Sequence, residues 1–249
     1  MKKKKPKILL IATGGAIGAK MINGKWKYGE VTAHELLEIA PYLKNNFDLK
    51  TTTVFRMDSA DIQPDHWLTL ANTIYHNMKS YDGIVVTMGS DTMIYAASAI
   101  SFIIQNINIP IVFTGAQIDT SQLNTDAKRN IREACTVAAY ADLGESVIVF
   151  NGQIRRGTRS KRINASNFEG FGSVDSIPLG NIEHYIKFNK PQIKRAKSKT
   201  VFYNKLETRV GILKVYPGFD NDRIKSSIDE GKLKGIVIEG YGLGLMPSV

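Results

Sequence analysis

The sequence predicts an α/β protein. It is built on a mainly parallel, doubly wound sheet of Rossmann-like or flavodoxin-like type, with helices on both faces. Short apolar runs of strand length alternate with segments of helical periodicity. The centres of several of these runs (Lys7 to Ala12, Gly83 to Thr87, Ile109 to Thr114) are continuously apolar, as in strands covered on both faces. Glycines and hydroxyl or carboxylate residues collect just where the runs end, and open α/β sheets hold their ligands there.

Each element has its own local signal. The strand Lys7 to Ala12 runs into Thr13-Gly14-Gly15-Ala16-Ile17-Gly18, where glycines permit a sharp turn and close approach to a ligand. Ala19 to Val31 is polar, turns at Asn23-Gly24 and carries Trp26 and Tyr28, as in a surface hairpin that acts as a lid or as a simple apolar latch. Thr32 caps a helix over Ala33 to Ala40, with Glu35 completing a capping box and Pro41 after it. A strand over Leu49 to Phe55 leads to Asp58-Ser59, and Pro64 opens a helix that reaches Met78 with Trp67, Leu70, Ala71 and Ile74 on one face. After the strand Gly83 to Thr87 comes the turn Met88-Gly89-Ser90-Asp91-Thr92, then a helix burying Met93, Ala96, Ala97, Ile100 and Ile104. The strand Ile109 to Thr114 ends in Gly115-Ala116-Gln117. A helix over Ala127 to Ala141 and a strand over Val147 to Asn151 follow. Lys187 to Asn204 reads as an exposed connector; Arg209 to Tyr216 and Gly235 to Glu239 read as strands around a helix, Asp222 to Glu230. Residues 1–240 are expected to form one domain, with 241–249 the start of a linker to a further domain.

The totals restrict the function classes. At 249 residues and 43% apolar content the chain can bury a sizeable core, and no apolar run reaches membrane-spanning length, so no membrane role is expected. The net charge of +10 is spread over separate basic runs without a nucleic-acid motif, which reads as a solvated lysine-rich surface. The apolar run after the basic N-terminus is short and enters a glycine turn, which is a poor secretory signal, and the expected location is cytoplasmic. Cys135 is the single cysteine, so neither an internal disulfide nor the usual zinc cluster is expected; its apolar helical setting makes it a small core residue. The glycine turn after the first strand departs from a dinucleotide fingerprint, and no cofactor is expected.

Thr13, Ser59, Ser90, Asp91, Thr92 and Arg162 all fall at strand ends. A hydroxyl beside a carboxylate and a base is how a nucleophile for acyl transfer is assembled, and glycine turns offer backbone N–H groups as an oxyanion hole. The competing reading is local: Ser90, Asp91 and Thr92 are also ordinary helix N-caps. His34, His66, His76 and His184 lie away from these ends, which argues against a Ser-His-Asp triad.

At these residues the chain resembles the bacterial and archaeal L-asparaginase family, amidohydrolases with a threonine nucleophile. The likeness runs through TGGAIG, MDSADIQPDHW, YDGIVVTMGSDTM, PIVFTGA, GTRSKRINASNFEGF and IEGYGLG, in one order along nearly the whole chain. The resemblance implies hydrolysis of L-asparagine, or L-glutamine, to the acid and ammonia through an acyl-enzyme, in a homo-oligomer (dimer or tetramer) acting on a small asparagine- or aspartate-like ligand. It places substrate binding at Thr13, Gly15, Asp58, Ser59, Gly89, Ser90, Asp91 and Ala116, with Ser59 on the substrate carboxylate and Asp91 on its ammonium. Trp26 or Tyr28 becomes the lid aromatic that orients the nucleophile.

This chain departs from the pattern where the chemistry lies. Ala16, which has no hydroxyl, occupies the nucleophile position; Ser90 stands for the second threonine, Met88 for the motif histidine and Arg162 for the lysine. Two alternatives follow: a catalytically degraded homologue that binds asparagine- or aspartate-like ligands as a sensor or partner subunit, and the amide-hydrolysing subunit of a tRNA-dependent amidotransferase.

Overall fold

The computed structural model describes residues 4–27, 29–174, 177–219 and 233–247. The strands are β1 (Lys7–Gly14), β2 (Lys20–Ile22), β3 (Lys25–Lys27), β4 (Asp48–Met57), β5 (Gly83–Thr87), β6 (Ile104–Gln105), β7 (Ile111–Thr114) and β8 (Ser146–Phe150). They continue with β9 (Gln153–Arg156), β10 (Ser160–Arg162), β11 (Phe171–Ser173), β12 (Gly180–Ile182), β13 (Ile186–Phe188), β14 (Val201–Phe202), β15 (Val210–Lys214) and β16 (Gly235–Glu239). The helices are α1 (Ala33–Ile39), α2 (Leu43–Asn46), α3 (Pro64–Asn77), α4 (Met93–Ile103) and α5 (Ala127–Tyr140). The chain divides into two compact units, residues 1–204 and 205–249.

The first unit is organised by an eight-stranded mixed sheet in the order β13-β12-β9-β8-β7-β5-β1-β4. The five strands β4, β1, β5, β7 and β8 are parallel neighbours. Strands β9, β12 and β13 extend the sheet antiparallel. Sequence periodicity does not reveal this edge: its strands are three or four residues long and half polar, and Asn151 (φ 50°) with Gly152 (φ 75°) forms the tight hairpin turn that starts it. Ile8, Leu10 and Ala12 of β1 are buried in one cluster with Leu36, Leu37, Ile131, Ala134 and Ala138 of α1 and α5. The alternate residues Leu9 and Ile11 are buried as well, which is why β1 reads as an unbroken apolar run. Cys135 belongs to the same cluster, and burial pushes its thiol up to about 12.

Helix α1 carries the expected capping box. Thr32 Oγ1 accepts from Glu35 N at 3.2 Å and Glu35 Oε2 accepts from Thr32 N at 2.8 Å. The Asn23-Gly24 hairpin also forms, with both residues at positive φ between β2 and β3. The stretch expected as an exposed connector is tied down at both ends, by β13 on the sheet edge and by β14, which pairs with β6. Phe202 of β14 stacks on Tyr75 with centroids 4.8 Å apart.

In the second unit β15 and β16 pair in parallel from Val210↔Gly235 to Lys214↔Glu239. Lys214 and Glu239 close that ladder with an ion pair of 2.9 Å. The helix expected over Asp222 to Glu230 lies outside the described residues.

Candidate active site at the carboxyl ends of the parallel strands

From β1 the chain crosses first to β4 on one side and then to β5 on the other. That change of direction opens a crevice at the carboxyl ends of the strands, the usual ligand position in such sheets. The loops leaving β1, β4 and β5 meet there. Gly15 has φ 77° and ψ −173°, a conformation that only glycine adopts without strain, and its N–H donates to Met57 O at 3.0 Å. A methyl group at Gly15 would overlap the Gly89 backbone. A methyl group at Gly89 would lie 2.5 Å from Ser59 Oγ and 2.6 Å from its Cβ. The three loops are therefore interlocked through backbone surfaces that no larger residue permits, with Ser59 buried among them.

Threonine hydroxyls tie the strand ends together. Thr13 Oγ1 donates to Thr87 O at 3.0 Å, and Thr114 Oγ1 donates to Val149 O at 2.8 Å. Thr92 is the N-cap residue of α4, yet its side chain makes no cap hydrogen bond. Its hydroxyl donates instead to Ser59 O at 2.7 Å and holds the β4 loop against the β5 turn. For Thr92 the local capping reading thus gives way to a bond between loops. Asp58 does cap: its Oδ1 accepts from Ala60 N at 3.1 Å at the head of a single 3₁₀ turn, Ser59–Asp61.

Ala16 opens a second 3₁₀ turn, Ala16–Gly18, and contributes to the wall of a cavity of about 440 Å³. Ala19, Gln117, Ile118, Asp119, Gln122 and Asn124 complete that wall. Behind it Ala116 is buried, and the Asp126 carboxylate accepts from the backbone N–H groups of Gln117 and Ile118 at 3.0 to 3.1 Å. Asn130, fully buried on α5, donates to Gly115 O at 2.9 Å and braces the same loop.

Arg162 ends β10 opposite Phe171 of β11, and its Cζ sits 5.0 Å from the centre of the Phe171 ring. Its Nη2 donates to Gln117 Oε1 at 3.1 Å, and Gln117 Nε2 donates to Asn167 O at 2.8 Å. Arg162 Nη2 lies 3.9 Å from Asp91 Oδ1, so the arginine and the aspartate of the β5 turn face one another. Burial pushes the guanidinium below its ordinary range, and Asp91 opposes that shift. Gln117 is the site residue that sequence reasoning missed: it is tied to Arg162 and Asn167 by a loop brought in from about 50 residues away, and nothing local to it signals this. Tyr28 lies outside the described residues, and Trp26 is placed only by its backbone in β3.

The structure thus brings Thr13, Gly15, Ser59, Gly89 and Thr92 into one packed junction. Asp91, in the same β5 turn as Gly89 and Thr92, faces Arg162 at 3.9 Å, and Ala16 shares its cavity wall with Gln117. Comparison with known proteins gives the family. A glutamyl-tRNA(Gln) amidotransferase subunit of Pyrococcus abyssi is 33% identical over 98% of this chain. The chain spans 58% of that relative's length. L-asparaginase 1 of Escherichia coli is 30% identical over 98% of this chain and 73% of its own. The thermostable L-asparaginase from Thermococcus kodakarensis superimposes with a TM-score of 0.87 at 28% identity, covering 97% of this chain and 73% of that one. A profile of the asparaginase N-terminal domain matches residues 7–194, a span that contains every strand of the eight-stranded sheet and all the loops that meet at the junction. The chain belongs to the asparaginase family through this N-terminal domain.

Proposed function

We propose that this chain is an asparaginase-type amidohydrolase, taking L-asparagine, and secondarily L-glutamine, to the acid and ammonia through an acyl-enzyme. The observation that carries this reading is the interlocked junction of Gly15, Gly89 and Ser59. It presents glycine backbone and a buried hydroxyl at the sheet's switch point, beside the Asp91 carboxylate. In this reading Ser59 takes the substrate carboxylate and Asp91 its ammonium. Thr13, Gly15, Asp58, Gly89, Ser90 and Ala116 form the remaining contacts. Ala16 cannot attack a carbonyl, so the attack falls to Ser90, Thr13 or a bound water and turnover is slow. Loss of a nucleophile costs up to ~10⁶-fold where catalytic groups act as a unit. Measuring ammonia release from asparagine and from glutamine tests it: no turnover above a blank at high protein concentration defeats the hydrolase reading.

A second reading, a ligand-binding homologue that has lost turnover, is favoured by Ala16 and Arg162, since arginine cannot exchange a proton as a lysine of lowered pKa does. Restored ammonia release in an Ala16→Thr/Arg162→Lys variant would support it. A third, the amide-hydrolysing subunit of a tRNA-dependent amidotransferase, is favoured by the names of the amidotransferase relatives; salt-dependent tRNA binding is its test. We further read the sheet as doubly wound, because right-handed crossovers to opposite sides of β1 put helices on opposite faces. A cytoplasmic homo-oligomer, dimer or tetramer, completes the proposal. No described helix is long and apolar enough to cross a membrane.

A further inference from the structure

We infer that Arg162 makes this pocket selective for an acidic amino acid over its amide, because a ligand's side-chain carboxylate in the cavity beside Gln117 supplies the negative charge that the buried guanidinium lacks. The inference rests on the pocket reading proposed above and goes beyond it, because it names which end group the pocket prefers.

The charge on Arg162 is poorly compensated. Its side chain is only 19% exposed. Among the described residues its one carboxylate neighbour is Asp91, at 3.9 Å, too far for a hydrogen bond. Asp91 is itself 68% exposed, so water screens much of that attraction. Among the described residues the guanidinium has one hydrogen bond, from Nη2 to the neutral oxygen of Gln117, while Nε and Nη1 are buried without a partner. Burying a cation in this state is costly unless an anion joins it. Losing the proton is no remedy, because arginine remains charged at neutral pH.

The side chain is also not placed to escape to solvent. It lies on the ring of Phe171, which is buried and packs edge-on against Phe150 with centroids 5.0 Å apart. Gly170 closes over it so tightly that a methyl group there would sit 2.5 Å from Nη1. Gln117, which accepts from Nη2, lines the same cavity as Ala16. A small ligand in that cavity thus lies beside the group that holds the guanidinium.

A neutral carboxamide offers an oxygen acceptor together with two N–H donors, and the donors face a cation unfavourably. A carboxylate offers acceptors only and carries the charge that offsets a cation. With Ser59 holding the main-chain carboxylate and Asp91 the ammonium, the ligand class is a short α-amino dicarboxylic acid. On this account the acid is held more tightly than the amide from which it would be made.

Calorimetric titration of the full chain with L-aspartate and with L-asparagine at neutral pH tests the inference. The expected result is aspartate bound about tenfold or more tighter than asparagine. In Arg162→Gln that preference should disappear, while Arg162→Lys, which keeps the charge, should retain a preference of the same sign. Circular dichroism establishes that each variant is folded; if the glutamine variant is not, the wild-type ratio and the lysine variant decide. Wild type binding asparagine as tightly as aspartate, or tighter, overturns the inference and leaves the amide-pocket reading standing. A lysine variant without preference also counts against it. Binding of neither ligand removes the pocket reading and the inference together.

Discussion

Gly89→Ala is the sharpest test of the interlocked junction. Gly89 is not at positive φ, so alanine meets no backbone strain there and the whole effect comes from crowding. The new methyl carbon would stand 2.5 Å from Ser59 Oγ, 2.6 Å from Ser59 Cβ and 3.1 Å from Gly15 Cα. Ordinary contact lies near 3.5 to 4 Å between carbons, so Ser59 has to retreat by about 1 Å. Ser59 is buried and its carbonyl is held by Thr92, which leaves little room for that movement. Overpacking of this kind costs about 1–3 kcal/mol, against a total stability of about 5–15 kcal/mol, so the domain still folds. For a chain of this size that cost corresponds to a fall in Tm of roughly 2–12 °C. The effect on the ligand is comparable, since a displacement of about 1 Å in a positioning group can cost ~10²-fold, or about 2.7 kcal/mol. The assays are thermal unfolding by circular dichroism and calorimetric titration with L-aspartate. Gly242→Ala, where an added methyl group meets nothing within 4 Å, is the control and should leave both unchanged. If Gly89→Ala behaves like Gly242→Ala in both measurements, Ser59 is not wedged against Gly89 and the proposed geometry is wrong.

Further outcomes follow from the same structure. Gly15→Ala should destabilise more than Gly89→Ala, because it adds a positive-φ penalty of about 1–3 kcal/mol to an overlap with backbone that cannot turn aside; equal melting temperatures for the two would contradict this. Cys135, buried in the core with its thiol pushed up to about 12, should resist thiol reagents at pH 8 in the folded chain and react only after denaturation; rapid labelling of the native protein would place it at the surface. Glu35 has its carboxyl lowered from 4.5 to about 2, first by the backbone hydrogen bond from Thr32 and then by Lys20. Because the folded value lies below the unfolded one, its contribution is present above about pH 4.5 and disappears as pH falls toward 2. Glu35→Gln should therefore flatten the pH dependence of stability across that window, and an unchanged acid profile would show that the capping box contributes nothing. The Ala16→Thr/Arg162→Lys variant should release ammonia from asparagine faster than wild type, as measured in a coupled assay; no gain would mean that the pocket has lost more than two groups.

The central strands are legible in the sequence because burial on both faces leaves a mark that needs no knowledge of neighbours. Ile8 to Ala12 and Gly83 to Thr87 are apolar on alternate as well as successive positions, and the structure buries all of them. The capping box at Thr32 and Glu35 is equally visible, since both its bonds span three residues. The antiparallel edge formed by β9, β12 and β13 is not. Its strands are short, one face is polar, and their pairing depends on residues about 27 positions away, as between Gly180 and Ile154. Thr92 shows the same limit within the site. From sequence it is an N-cap, and only the approach of the β4 loop redirects its hydroxyl to Ser59 O.

Three things are written in the residues alone: the order of strands and helices in the parallel half of the sheet, the gathering of glycines and hydroxyls at strand ends, and the replacements at Ala16 and Arg162. These depend on local steric preference, on periodic burial and on the identity of single side chains. Which ends meet is settled in three dimensions. There Gly15, Gly89 and Ser59 exclude any larger residue from their contact, and Gln117 is tied to Arg162. There too the Arg162 charge comes to lie buried on Phe171, with the exposed Asp91 at 3.9 Å as an ion-pair partner too far for a hydrogen bond. Close packing and the cost of burying charge act through space between residues far apart in the chain, and no window of sequence contains both partners.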